Sequence, residues 1–173
     1  MSSQSAMQPA EGYMLAPNLI LRPTVLWLTA GGLGFLRPAP GTWGSAGAVV
    51  FWWFFLSPLS WVVQLGIVMA YFVVSWWLCN RLINQLGIED EPQIVADEVA
   101  GMWLALVWVP PTVGWVLAAF VLFRLADITK PGPIGMLDRL MHSGLGIMAD
   151  DLLAGALCAG LLALVAAGLP LPV

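Results

Sequence analysis

Three short motifs hold seven charged residues in a chain that has little charge: Asp97-Glu98, Arg124-x-x-Asp127-x-x-Lys130-Pro131, and Asp150-Asp151. Each adjoins a long apolar run, where one charge costs roughly 2.5–3.5 kcal/mol on insertion scales and by default marks a functional site. Five carboxylates stand against two cations there, so the set carries excess negative charge. A hard divalent cation offsets such an excess. Mg²⁺ takes oxygen ligands, keeps several waters, and is held by one or two carboxylates together with a substrate phosphate. Carboxylates with a single histidine and no cysteine cluster suit Mg²⁺ better than zinc. Arg124 and Lys130 suit an oxyanion, the arginine as a bidentate fork and the lysine as a point charge. Asp97, Glu98, Asp127, Asp150 and Asp151 are thus candidate metal ligands, beside cations for phosphate at the depth of lipid headgroups.

Plainer readings stand beside these. Acids in a first helical turn are favoured by the helix dipole by about 0.3–1 kcal/mol, which fits Asp97-Glu98 before Val99 and Asp150-Asp151 before Leu152. Arg124, Asp127 and Lys130 at i, i+3 and i+6 share one face of a continuing helix, where a salt-bridge ladder would also form. In Pro40-Gly41-Thr42-Trp43-Gly44-Ser45, Thr42 and Ser45 could give hydroxyls to a phosphate. Equally, Ser45 could cap a helix beginning at Ala46, with a structured turn before it. No Gly-Lys-Ser/Thr follows, so this is not a P-loop. His142 lies between two acidic clusters as a candidate general acid, or as a hydrogen-bonded structural residue.

Composition says what must position these groups. Of 173 residues 60% are hydrophobic and 9% charged, with a mean hydropathy of +0.88, well above the roughly 45–50% apolar share of a soluble domain. Ten tryptophans fit anchoring at a membrane interface. The chain reads as an integral membrane protein of one domain, residues 24–173, behind a polar tail, residues 1–23. That tail lacks the layout of a signal peptide and is expected to be mobile or to rest on the membrane surface. Cys79 and Cys158 both lie in apolar runs and read as small packing residues rather than a disulfide. Nothing basic points to nucleic acid.

Apolar runs span 46–56, 61–79, 99–123 and 152–168, broken by Ser57-Pro58-Leu59-Ser60, Pro110-Pro111 and Gly168-Leu169-Pro170. Paired prolines remove backbone donors and disfavour helix before them, so 99–123 reads as a hairpin. Several of the helices fall short of the roughly 20 residues that cross a bilayer. The expectation is an all-α, compact, polytopic bundle of short helices and hairpins, with its polar site at one end. If each turn reverses the chain, residues 57–60, 110–113 and 169–173 lie on one side without a charge. Every charge from Arg37 onward lies on the other. Five of these are Lys or Arg, so the positive-inside rule puts that end, and the site, in the cytoplasm. Arg81 falls in the loop between hairpins.

At these motifs the chain resembles the phosphatidylglycerophosphatase A family of bacterial membrane lipid phosphatases. The resemblance runs in order through 40–45, Asp97-Glu98-Val99-Ala100-Gly101-Met102-Trp103 and Phe123-Arg124-Leu125-Ala126-Asp127 with Lys130-Pro131-Gly132-Pro133-Ile134. It continues through Asp138-Arg139 and from His142 to Asp151, reaching Ala154-Gly155. Ser143 stands where the family pattern leads one to expect glycine. The resemblance covers roughly residues 30–160. It implies an all-helical, Mg²⁺-dependent hydrolase of the bacterial inner membrane that removes the terminal phosphate of phosphatidylglycerophosphate during phosphatidylglycerol synthesis. Arg124 and Lys130 would bind the phosphate, and a metal-activated water would attack in line; an aspartyl-phosphate route through Asp127 or Asp97 stands as the alternative. Two rival functions remain. A small cation transporter would use the same acids, but a path needs polar groups at both ends. A transferase acting on nucleotide-activated lipids would need an Asp-Gly-x-x-Ala-Arg constellation, which the chain lacks.

Overall fold

The computed structural model describes residues 21–86, 91–130 and 144–168. Six α-helices make up nearly all of it: α1 (Pro23–Leu28), α2 (Pro40–Phe51), α3 (Trp61–Leu86), α4 (Ala96–Leu106), α5 (Val113–Thr129) and α6 (Gly144–Gly168). A 3₁₀ turn at Leu33–Phe35 precedes α2, and a π-helical turn at Trp52–Leu56 extends it. The all-α bundle expected from the hydropathy pattern is the fold observed, and both hairpin turns fall where the prolines place them. His142, Asp138, Arg139, Glu89, Asp90 and the first 20 residues lie outside the described residues.

The centre of the bundle is the crossing of α4 on α6, the most extensive packing of any helix pair. Two glycines set it. A Cβ on Gly101 would stand 2.5 Å from the Asp151 carbonyl oxygen, and one on Gly155 would run into the Gly101 carbonyl. Only at such small residues can two helix backbones approach this closely. Around the crossing Met102, Leu106, Ala119 and Phe123 are fully buried, with Trp52 and Val68 completing the core. A second cluster of Val25, Leu28, Cys79, Leu82 and Met148 fixes α1 and α3 beside it. The Val95 amide donates to the Leu28 carbonyl at 2.9 Å, which ties the start of α4 to the end of α1.

Helices α3 and α6 are long and apolar enough to cross a membrane, over Trp61–Gln85 and Met148–Gly168. Large apolar side chains face outward, among them Phe54 at 69% and Leu164 at 74% exposure. The other helices are shorter; α4 has 11 residues.

Four local expectations are corrected. Helix α2 starts at Pro40, not Ala46, because proline at the first helical position gives up a donor that has no intrahelical partner anyway. Ser45 is therefore inside the helix and cannot cap it. Asp150 and Asp151 sit in the second turn of α6, which begins at Gly144; the apolar stretch before them continues the helix instead of leading up to it. Lys130 does not share a helix face with Arg124 and Asp127. Pro131 disfavours helical geometry in the residue before it, and Lys130 caps α5 in a left-handed conformation with φ 41°. Arg81 is on α3 rather than in a loop, its guanidinium 5.6 Å from the centre of the Trp77 ring.

Candidate active site

One end of the bundle collects the N-terminal ends of α2, α4 and α6 and the C-terminal ends of α3 and α5. A cavity of about 330 Å³ lies among them, lined by Gly41, Glu91, Asp97, Glu98, Arg124, Asp127, Lys130, Asp150 and Asp151. All five predicted carboxylates and both predicted cations reach it. Helix N-termini carry partial positive charge, so α2 and α4 present the ends that favour an anion.

The five acids divide into two kinds. Asp127 Oδ2 pairs with Arg124 Nη1, 2.6 Å away and one turn earlier on α5. Asp150 Oδ2 pairs with Lys130 Nζ at 2.7 Å, across from α5 to α6. Asp97, Glu98 and Asp151 form a separate group whose carboxylate oxygens lie within 4.8 Å of one another. Among the described residues, no cation is paired with this trio as those two pair with Asp127 and Asp150. Asp97 is 8% exposed and Asp151 4%, and Glu98 Oε2 is buried without a hydrogen-bond partner among the described residues. Burial, then the neighbouring Glu98 charge, pushes the Asp97 carboxyl well above its ordinary range. Burial likewise pushes Glu98 up to about 7, with Asp151 and Asp127 adding to the rise. Three acids held this close out of water repel each other. An arrangement of that kind is held together by a cation or by protons.

The same backbone device orients both acidic pairs. The Glu98 amide donates to Asp97 Oδ1 at 3.0 Å, and the Asp151 amide donates to Asp150 Oδ1 at 3.0 Å. The first acid of each pair is thereby fixed, while the second, Glu98 or Asp151, is directed into the cavity group. The Gly101 contact places the Asp151 backbone against α4, so the packing of the core and the position of the trio are one feature.

Ser45 is fully buried. Its hydroxyl donates to the Gly41 carbonyl at 2.8 Å and accepts from Arg124 Nη1 at 3.3 Å. It holds the arginine rather than lining the cavity. Thr42, in the first turn of α2, is not among the lining residues either. Arg124 Nε is buried and has no hydrogen-bond partner among the described residues, so the guanidinium keeps a donor in reserve there. Gly41 packs against both side chains: a Cβ there would overlap the Glu98 carboxylate and come within 3.2 Å of Arg124 Nη1, so a larger residue would displace them.

The family model for phosphatidylglycerophosphatase A matches residues 26–166. The chain belongs to that family. A phosphatidylglycerophosphatase A of Escherichia coli (strain K12) is 40% identical over 132 residues, covering 76% of each chain. One from Haemophilus influenzae is 38% identical over 136 residues, or 78% of this chain and 83% of its own. A relative from Bacteroides thetaiotaomicron, 37% identical over 145 residues, carries a name that makes it provisionally a phosphatidylinositol-3-phosphatase. No solved structure matches the chain. Apolar outward faces, two helices long enough to span and membership of this bacterial family together make it a membrane protein.

Two wall residues carry no role in the sequence reading. Glu91, 5% exposed, reads in Glu89-Asp90-Glu91 as one more loop charge. Its signal is the Pro92 that follows and the buried Ile94-Val95-Ala96 stretch, which pulls this end of the loop inward. Gly41 reads only as a turn glycine, because its contact with Glu98 joins positions far apart in sequence.

Proposed function

We propose that the protein is a Mg²⁺-dependent lipid phosphatase that converts phosphatidylglycerophosphate to phosphatidylglycerol and inorganic phosphate. The observation that carries this reading is the trio of Asp97, Glu98 and Asp151, two buried carboxylates and one half-buried within 4.8 Å of one another and beside Arg124 and Lys130 in one cavity. The donors are all oxygen, and the buried, unpartnered Glu98 Oε2 is a ligand atom in want of a partner; both suit a hard divalent cation. Asp97, Glu98 and Asp151 would hold it, with Asp127 and Asp150 facing the same space. When bound, such an ion polarises a phosphoryl oxygen and lowers the pKa of water to near neutrality.

The chain's own groups supply the rest. Arg124, steadied by Asp127 and Ser45, offers its remaining donors to the terminal phosphate. Lys130, poised on Asp150, adds a second positive charge where the transition state gathers negative charge. The helix ends of α2 and α4 contribute in the same sense, and Gly41 leaves room for a phosphate oxygen beside Glu98. Water attacks phosphorus in line, the phosphorus–oxygen ester bond breaks, and the glycerol oxygen leaves with a proton. His142 is the candidate donor of that proton.

The protein crosses the membrane several times, with the acidic end on the cytoplasmic side. Single cysteines at Ser57 and Arg139, in a chain without Cys79 and Cys158, should react with an impermeant reagent from opposite faces. The activity is tested by inorganic phosphate release from phosphatidylglycerophosphate in mixed micelles, with Mg²⁺ and then with excess chelator. Phosphatidylinositol 3-phosphate serves as the comparison substrate. Release that requires Mg²⁺ and prefers phosphatidylglycerophosphate is expected; no release, or release undiminished by chelator, contradicts the reading.

A further inference from the structure

A second cavity, of about 600 Å³, opens between α1, α2, α3 and α4. It shares three helices with the acidic cavity, α2, α3 and α4. The acidic cavity takes Gly41 from α2 and Glu98 from α4, while this one takes Gly47 and Val99 from the same helices. On α4 the change from acid to hydrocarbon occurs between adjacent residues. On α2 it takes six, or about 9 Å of helix axis, which leaves room for a headgroup between the two.

The two indole N–H groups in the wall of this second cavity are tied off inside the protein. Trp27 Nε1 donates to Ser75 Oγ at 2.9 Å, and Trp103 Nε1 donates to the Ala48 carbonyl at 2.9 Å. Tyr71 stacks on Trp27 with ring centres 5.1 Å apart and meets Trp103 at 4.9 Å. What faces the space is mostly ring carbon, methyl and methylene. A cavity this poor in polar partners disfavours ordered water and accepts an apolar guest, and its size is that of a ligand site. At its edge Trp27 and Phe51 are 42% and 44% exposed, so it opens sideways onto the apolar outer surface, the direction from which a bilayer lipid arrives.

We propose that this cavity holds one acyl chain of the phospholipid whose terminal phosphate occupies the acidic cavity. The inference rests on the lipid-phosphatase reading given above. One chain enters the protein while the other stays in the bilayer, and the enclosed chain fixes how far the headgroup reaches toward Asp97, Glu98 and Asp151. Binding energy from a part of the substrate that does not react is thereby used to position the part that does.

The test uses the full-length protein and phosphatidylglycerophosphate with a photoactivatable diazirine on one acyl chain, followed by mass-spectrometric mapping. Adducts on Phe51, Tyr71 and Trp103 are expected. Adducts confined to outward residues such as Phe54 and Leu164 overturn the proposal. So does capture in the cavity that appears only after residues 1–20 are removed, since those residues would then be its occupant. Gly47→Leu fills the space from α2, and Leu26→Trp fills it from the half-buried face of α1, should the glycine variant not fold. Either should lower kcat/KM for a dioleoyl substrate relative to a dihexanoyl one by about tenfold or more; equal losses on both overturn the proposal. Cavity adducts without phosphate release from any lipid count against the phosphatase reading alone. Phosphate release without cavity adducts counts against the chain site alone.

Discussion

The two ends of this bundle treat buried polar groups in opposite ways. At the end holding residues 57–60, Trp52 Nε1 donates to Gln64 Oε1 at 2.9 Å and Gln64 Nε2 donates to the Leu59 carbonyl at 2.9 Å. Donor and acceptor satisfy each other, and the link pins the π-helical turn to α3. At the other end, Glu98 Oε2 and Arg124 Nε are buried without partners, and three carboxylates crowd together. An unsatisfied buried polar group costs about 1–3 kcal/mol, more if charged. A fold that completes its hydrogen bonds at one end and leaves them open at the other is stable at the first and prepared for a ligand at the second. Substitutions at the two ends should therefore fail differently.

The largest effect is expected at the open end. Asp97→Asn keeps the shape of the side chain and removes its charge, so turnover should be abolished while the protein stays folded and inserted. Phosphate release together with size-exclusion elution in detergent reads both. Near-wild-type turnover at saturating Mg²⁺ would remove Asp97 from the site. Arg124→Lys comes next. Lysine cannot keep the Asp127 and Ser45 contacts and still offer a fork to phosphate, and a loss of about 10²-fold in kcat is expected, comparable to removing one transition-state donor. Arg81→Lys, on α3 against Trp77, should be nearly silent. Equal effects of the two would recast Arg124 as a determinant of topology.

Gly101→Ala sharpens the comparison by disturbing the open end through the core. Its Cβ meets the Asp151 carbonyl and the Phe123 ring, so α6 must shift and carry Asp151 with it. Turnover should fall about 10–100-fold, as when a group that orients a metal ligand is lost. The smallest effect on turnover belongs to Gln64→Leu. It leaves the Trp52 N–H without its acceptor, which should cost about 1–3 kcal/mol, seen as a lower Tm, while activity at low temperature is retained. A loss of activity at unchanged Tm would reverse the roles assigned to the two ends.

Much of this division is legible in the sequence, and its limits are physical. Turn prolines and hydropathy place residues 57–60 and 110–113 opposite the acids, because helix breakers and apolar runs are local signals. The same signals bring Asp97, Asp127 and Asp151 to one end. Which acid pairs with which cation is not legible. The i, i+3, i+6 spacing puts Lys130 on the helix beside Asp127, whereas the pre-proline geometry at Pro131 turns it toward Asp150. Nor does the sequence single out Asp97, Glu98 and Asp151 from the other acids, since their meeting depends on the α4–α6 approach at Gly101 and Gly155. The apolar cavity is invisible for the same reason: Gly47, Tyr71 and Trp103 become neighbours only through packing. Ser45, a plausible cap or phosphate donor by spacing, holds Arg124 because helix α2 begins at Pro40.

In the proposed mechanism Asp97, Glu98 and Asp151 form the divalent-cation site, and the acids paired with Arg124 and Lys130 do not dominate it. Mn²⁺ binding to the full-length protein, followed by electron paramagnetic resonance without substrate, tests it most directly. Wild-type protein should bind Mn²⁺ saturably and release it to excess Mg²⁺, and Asp151→Asn should weaken binding far more than Asp150→Asn. Unchanged Mn²⁺ affinity in Asp151→Asn, or a larger loss in Asp150→Asn, would contradict the account.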